Sequence, residues 1–404
     1  MKLFARPFLL LLMLTAPLLS AEPFLTVVRS LEQLPPEQRQ PVIEKYLNTI
    51  RIAPIIENDS ILHFVLYGAA DSVSVIGDLQ RWNLADPMTK LPCGLYSLFY
   101  RTYIVPPDAR LDYLFIINGA ERTDPQNPNI TPSGFGPHSE VRMPRFVPTP
   151  YLHVRPEVPR GTIDSLAPLY TLISPLRRYV IPTRPIKVYR PAGYDTMQAL
   201  PAVYVHDGLE ALDYMRMNTM LDNMIADGKL QPLIAVFIPP VDREREYLTT
   251  SLDRFILYTV REVVGMIDAV YRTDRAPHRR AVIGISAGAH AALYMALTRP
   301  DVFLNTGAQS SAVTPQLRLA TEQAAARAIL PPQFKLYLDC GKYDLQGTAP
   351  FGGSYDFLQS HREYSDLLSS LRIPHYYKEA TDGHQWASWR ERVPGMLTYF
   401  FGGR

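Results

Sequence analysis

The sequence predicts a two-part chain, a small all-β sandwich followed by a larger α/β half built on a mainly parallel sheet. Three observations predict it. Short strand-like runs divided by turn residues fill the region from residue 61 to 117, strands alternate with helices beyond residue 160, and a proline-dense stretch stands between them. A length of 404 residues accommodates both parts. Charge is close to balance, with 41 basic against 39 acidic residues and a formal net charge of +2. Such a surface gives no basis for binding a polyanion, so no nucleic-acid partner is expected.

The first segment, residues 1–21, has the layout of a secretory signal peptide. Lys2 and Arg6 open it, residues 7–19 are almost wholly apolar, and Ser20-Ala21 offers small residues for cleavage before Glu22. The apolar run holds Pro7 and Pro17 and is short of a membrane span. The mature protein is therefore expected in the periplasm or outside the cell, without a stable membrane anchor. Cys93 and Cys340 are the two cysteines. Export would permit a disulfide, but the two fall in different expected domains, which favours two buried thiols. There is no C-x-x-C and no H-E-x-x-H, so neither a metal site nor a cofactor is expected.

Residues 22–143 are expected to form the N-terminal domain. It starts with a leader carrying one amphipathic helix around residues 41–50. Strand-like runs follow at 61–67, 72–76, 96–104 and 111–117, separated by turn residues such as Gly68, Asp86-Pro87 and Asn118-Gly119. Val73-Ser74-Val75-Ile76-Gly77-Asp78-Leu79-Gln80-Arg81-Trp82 resembles the V-x-G-D-F-N-x-W signature of early-set immunoglobulin-like domains, and Thr123-Asp124-Pro125-Gln126-Asn127-Pro128 resembles a later part of that pattern. The resemblance implies an immunoglobulin-like sandwich. Trp82 is then either a sugar-stacking ring, as in the carbohydrate modules of that group, or a packing residue. Residues 144–160, with Pro144, Pro148, Pro150, Pro156 and Pro159, are read as the linker.

Residues 161–404 make the α/β half. Strands are expected at 179–181, 186–189, 202–206, 233–238, 282–285, 303–309, 334–338 and 376–379. Helices are expected at 211–226, 253–271, 289–298, 316–329, 360–371 and 386–400. In such sheets the site lies at the carboxyl ends of the strands. The strand at 282–285 runs into Gly284-Ile285-Ser286-Ala287-Gly288 and then into an Ala- and Leu-rich helix, the strand–turn–helix context of a G-x-S-x-G nucleophile elbow. Gly284 and Gly288 supply bulk-free positions where strand and helix crowd each other.

A serine hydroxyl needs a base, and the base an orienting acid. Downstream of Ser286, His290 lies on the helix leaving the elbow, His361 falls within a helix, and His375 opens a strand at its amino end. His384 follows a strand and is the expected base. For the acid, Asp344 in the loop after the strand at 334–338 is preferred, with Asp339 next and Asp382 too close to the base along the chain. The backbone N–H groups of Ala287 and Leu209 are the expected oxyanion donors, with Gly208 giving the turn its freedom.

The segments L-P-A-V-Y-V-H-D-G-L, Arg243-Glu244-Arg245-Glu246-Tyr247, G-I-S-A-G, C-G-K-Y-D and D-G-H-Q-W-A-S-W-R together resemble an esterase family of the α/β-hydrolase fold. That family holds the enterochelin (siderophore) esterases, the feruloyl and acetylxylan esterases, the S-formylglutathione hydrolases and the mycolyltransferases. The early-set domain in front and G-H-x-W-x-x-W-R are most similar to the enterochelin esterases. The resemblance implies a triad of Ser286, His384 and Asp344 and a small-molecule ester substrate, either a siderophore lactone or an acylated sugar. It also implies a pocket-shaping ion pair involving Arg243 and Glu246. His206, Trp386 and Arg390 complete the expected substrate-binding residues, Arg390 to meet an anionic group, with core packing the other reading of Trp386 and Trp389. The loop at 347–354 is expected to rim the cleft.

Overall fold

The computed structural model describes residues 22–50, 53–166, 184–348 and 354–403. The apolar N-terminal segment (1–21) and the strand expected at 179–181 lie outside the described residues.

Alternation of apolar and polar residues builds the first domain. Its strands are β1 (Ile55–Glu57), β2 (Ile61–Gly68), β3 (Val73–Gly77), β4 (Asp86–Pro87), β5 (Thr89–Cys93), β6 (Tyr96–Ile104), β7 (Arg110–Ile117), β8 (Ala120–Arg122), β9 (Ile130–Thr131) and β10 (His138–Arg142). One sheet has the order β1-β2-β6-β5, the other β4-β3-β7-β10-β9 with β8 on β7. Between them Phe64, Val75, Phe99, Leu111 and Phe115 form a closed core, each such side chain contributing about 1.5–3 kcal/mol on burial. Asn118 and Gly119 turn β7 into β8 with φ of 49° and 85°, the two left-handed positions that a tight hairpin requires.

Two helices, not one, precede these strands: α1 (Phe24–Glu32) and α2 (Pro36–Ile50). Phe24, Val27, Val28 and Leu31 recur at helical spacing and pack with Ile43 on the other face of the first sheet, against Val65 and Leu98.

After residues 144–161, which hold only turns, bends and irregular backbone, come β11 (Thr162–Leu166), β12 (Ile186–Arg190), β13 (Ala202–His206), β14 (Ile234–Ile238), β15 (Arg280–Ile285), β16 (Asn305–Gln309), β17 (Lys335–Tyr343), β18 (Gln346–Thr348), β19 (Ser354–Asp356) and β20 (His375–Gly383). The large sheet has the order β11-β12-β14-β13-β15-β16-β17-β20. Its first three strands pair antiparallel, and from β14 onward all pair parallel. Helices α3 (Gly208–Asp213), α4 (Met217–Ala226), α5 (Arg243–Leu248), α6 (Leu252–Tyr258), α7 (Val264–Val270), α8 (Ser286–Thr298), α9 (Pro315–Ala326), α10 (Phe357–Ser370) and α11 (Trp386–Phe401) cover it. Successive residues serve opposite faces: Tyr204 and Val282 join the core beneath α6 and α8, while Val203, Ala281 and Ile283 join that beneath α4 and α11.

The helix expected at 211–226 is two, α3 and α4, because Arg216 takes a left-handed φ of 52° between them. The helix expected at 253–271 is α6 and α7 joined by a π turn at Thr259–Val263. Strands β17 and β20 run further than expected, to Tyr343 and Gly383, pairing along their extensions. That overrun carries their carboxyl ends past the rest of the sheet and up to the sandwich.

Arg392 of α11 reaches beneath these ends. It donates to Asp339 in the middle of β17 and stands 3.3 Å from Asp382 Oδ2. Burial pushes both carboxyls up, Asp382 to about 6, while the guanidinium opposes it. Arg392→Leu leaves two buried carboxylates unpaired and is expected to lower stability by about 3–5 kcal/mol, read as a shift of the urea unfolding midpoint.

Candidate active site

Strand β15 is buried at every position and delivers Ser286 at its carboxyl end, in the middle of the sheet. Ser286 has φ of 50°, a left-handed conformation that costs a non-glycine residue about 1–2 kcal/mol. The sharp turn brings Gly284 against α8, where a Cβ would stand 2.3 Å from the Gly288 carbonyl oxygen. At Gly288 a Cβ would instead meet Asp207 Oδ2 at 2.8 Å and His206 Cβ at 3.3 Å.

His384 Nε2 lies 2.9 Å from Ser286 Oγ, and its Nδ1 meets Asp344 Oδ1. The imidazole is held edge-on by Phe357 and Trp389, at centroid separations of 4.7 and 4.8 Å. Asp344 is fully buried just past the end of β17 and accepts the Leu345 N–H at 2.9 Å. Burial by itself would raise its carboxyl, but the charge and hydrogen bond of His384, with help from Ser310, hold it below the usual carboxylate range. A depressed carboxyl stabilises the fold above the ordinary carboxylate range, and that contribution disappears as pH falls toward the lowered folded value. The other candidates go elsewhere. His290 bridges the Tyr247 carbonyl and Thr314, His361 accepts the Ser311 N–H, and His375 contacts Ser365. Asp339 is bound by Arg392 and Gln309.

Ala287 lies in the first turn of α8 and Leu209 in that of α3, where backbone N–H groups lack helical acceptors. The two turns follow neighbouring strands, β15 and β13. Between them, Asp207 and not Gly208 takes the left-handed φ, 51°. Gly208 is needed for a different reason, since a Cβ there would stand 2.4 Å from the backbone of Phe237 and Ile238. Asp207, which sequence reasoning overlooked within H-D-G, is buried against Gly288 and binds Arg243 at 2.8 and 2.9 Å.

Four expected binding residues stand away from the cleft wall. Glu246 is buried and paired with Arg184 at 2.8 and 3.0 Å, not with Arg243, whose guanidinium is taken by Asp207. His206 is buried behind the elbow, its Nδ1 on the Gly288 carbonyl at 2.9 Å, and burial lowers its pKa to about 4. Trp386 packs on Tyr214 and Trp389 within the core. Arg390 is turned toward the sandwich, where burial and the nearby Arg110 push its guanidinium below the ordinary value. The position of α11 decides the last two: its inward face is packed on the sheet and its start faces the first domain.

The cleft over Ser286 encloses about 590 Å³ and is walled from both domains. Its lining includes Arg243, Ser286, Ala287, Tyr355 and Phe357 of the α/β half and Arg81, Trp82 and Asn83 of the sandwich. Trp82 therefore faces the cleft, with its indole N–H on Asp78 Oδ1 at 2.7 Å and its ring against His138. Gly347 and Thr348 also reach the wall, from a β18–β19 hairpin whose tip (349–353) lies outside the described residues. Cys93 and Cys340 are free and buried. Among the described residues no helix is long and apolar enough to cross a membrane, and no group of three or more His, Cys, Asp or Glu could hold a metal.

The family model described as "Putative esterase" matches residues 182–400. Protein YjcH of Bacillus subtilis, described as uncharacterized, is 25% identical over 219 residues, which is 52% of this chain and 88% of that protein. Among solved structures, the ferric enterobactin esterase of Salmonella typhimurium superposes with a TM-score of 0.69 at 17% identity, covering 88% of this chain and 98% of that one. The Shigella flexneri enterobactin esterase crystallised in the presence of enterobactin gives 0.68 at 16% identity, covering 88% and 97%. At such identity the likeness carries the fold, and it spans both domains.

Proposed function

Because this chain belongs to the Putative esterase family, we propose that it is a serine carboxylic ester hydrolase acting through Ser286, His384 and Asp344. The observation that carries this reading is the 2.9 Å contact of His384 Nε2 with Ser286 Oγ, with Asp344 on the opposite ring nitrogen. Ser286 Oγ attacks the ester carbonyl as its proton passes to His384 Nε2, and Asp344 steadies the imidazolium. The N–H groups of Ala287 and Leu209 receive the oxyanion. Collapse of the tetrahedral species expels the alcohol, which takes its proton from His384, and leaves an acyl-serine. Water, deprotonated by the same imidazole, then releases the acid.

The substrate we favour is a siderophore-type lactone with aromatic acyl groups. Trp82, Tyr355 and Phe357 give the cleft planar apolar surface, and Arg243, paired with Asp207, lies in its lining. The alternative is a feruloyl- or acetylxylan-type sugar ester with the sandwich as a carbohydrate module. The inward direction of Trp82 favours the first, since a stacking platform for an external glycan would face outward. Incubation with ferric enterobactin, with feruloylated xylan oligosaccharides, and with a simple ester plus a sugar acceptor separates lactone hydrolysis, sugar-ester hydrolysis and acyl transfer. Absence of any turnover, together with no covalent capture by a fluorophosphonate, would defeat the esterase mechanism. We further propose export, from the layout of residues 1–21. A periplasmic or secreted product beginning near Glu22 is the expected result of N-terminal sequencing.

A further inference from the structure

The residue immediately before His384 is Gly383, and the atoms facing it belong to the other domain. A Cβ on Gly383 would stand 2.2 Å from Asp78 Oδ1, 2.3 Å from its Cγ and 2.8 Å from Oδ2. Gly383 does not have a left-handed φ, so conformational freedom is not what requires glycine here. The carboxylate requires it. Asp78 is fully buried and has nowhere to swing. Its Oδ2 accepts the Asp112 N–H at 2.7 Å and its Oδ1 the Trp82 indole N–H at 2.7 Å. One carboxylate is thus wedged between the strand end that bears His384 and the tryptophan that walls the cleft.

The same turn grips the loop on the other side of the site. Arg81 binds Asp356 Oδ2 at 2.6 Å and the Lys342 carbonyl at 3.4 Å, and its own carbonyl accepts the Gln346 N–H at 3.5 Å. Lys342 and Gln346 flank Asp344. Arg81 and Trp82 hold φ of 51° and 52°, a conformation costing about 1–2 kcal/mol at each. Their N–H groups, bonded to Asp78 and Gly77 carbonyls at 2.8 and 3.0 Å, help hold it. Strain kept at consecutive bulky residues is found where the surrounding structure depends on it.

We propose that the turn at residues 78–83 of the sandwich domain is part of the catalytic apparatus, with Asp78 a positioning residue that sets His384 against Ser286. The inference rests on the serine-esterase reading. Ser286 is fixed by its own strand and helix, whereas the base and the acid hang on β20 and β17 where these overrun the sheet. The turn fills the space behind both. Displacing a reacting group by about 1 Å costs on the order of 10²-fold in rate.

The test is a pair of substitutions in the full chain, assayed on p-nitrophenyl butyrate with near-UV circular dichroism as the control of folding. Gly383→Ala is expected to lower kcat about 10²-fold with KM within about threefold, because the base moves and the cleft does not. Adding Asp78→Ser removes the obstructing carboxylate, and the double variant is expected to recover at least about tenfold over Gly383→Ala. Gly383→Ala retaining more than half of wild-type kcat overturns the proposal, as does a double variant no better than Gly383→Ala. Should Gly383→Ala fail to fold, the double variant is compared with Asp78→Ser alone. Asp78→Ser with kcat lowered about tenfold at unchanged KM, and a double variant of similar folding and kcat, support the proposal; Asp78→Ser at wild-type kcat, or a double variant that is unfolded or inactive, overturns it. Fluorophosphonate capture keeps the two readings apart. A wild-type protein that is not captured defeats both, while capture with Gly383→Ala unimpaired defeats only the positioning role.

Discussion

Ser286→Ala is expected to lower kcat for p-nitrophenyl butyrate on the order of 10⁶-fold, to the background left by the oxyanion donors and binding. The hydroxyl is the sole atom removed, and the left-handed turn is unchanged because alanine adopts the same backbone. Stability should shift only by the one hydrogen bond lost to His384, about 0.5–1.5 kcal/mol. The check is spectrophotometric turnover together with intact-protein mass after fluorophosphonate treatment, which should show the adduct on wild type and none on the variant. Turnover above about one per cent of wild type would mean another nucleophile, and the mechanism would have to be abandoned.

The second large effect is expected from Asp344→Asn, a loss of about 10⁴-fold in kcat with little change in KM. The carboxylate accepts the N–H of His384 Nδ1 and so leaves Nε2 free to take the serine proton. An asparagine amide turned toward the ring donates to Nδ1 and selects the opposite tautomer, whose Nε2 carries hydrogen. Asp339→Asn is the partner experiment. Asp339 is tied to Arg392 and Gln309 in the middle of β17, so its loss should lower the urea midpoint while kcat stays within about tenfold. The reverse pattern would make Asp339 the acid.

Much of this site was legible along the chain. Gly284-Ile285-Ser286-Ala287-Gly288 reads as an elbow because strand, turn and helix are neighbours in sequence. The choice of His384 needs only the direction of β20, since a residue after a parallel strand lies at the carboxyl edge and His375, at its start, does not. Asp344 was separable from Asp339 by the same logic, although β17 runs on to Tyr343 and places Asp339 deeper than expected. The leader was read with one helix, around residues 41–50, and the helix at Phe24–Glu32 was missed although Phe24, Val27, Val28 and Leu31 recur at helical spacing. Other assignments failed for want of a third dimension. Glu246 was expected to act with Arg243, yet the two diverge to Arg184 and Asp207. Trp386 and Arg390 follow the base closely in sequence, but the set of α11 turns one into the core and the other toward the sandwich.

The sequence by itself determined the two domains, the order of the strands along the chain, the elbow and the residues at the strand ends. These follow from backbone stereochemistry and from apolar periods of two and 3.6 residues, which act over a few neighbours. Only the tertiary structure decided that Trp82 walls the cleft, that Asp207 holds Arg243, and that Asp78 stands against Gly383. Contacts between elements far apart in the chain depend on how whole faces pack, and a buried carboxylate finds its partners only once that packing exists.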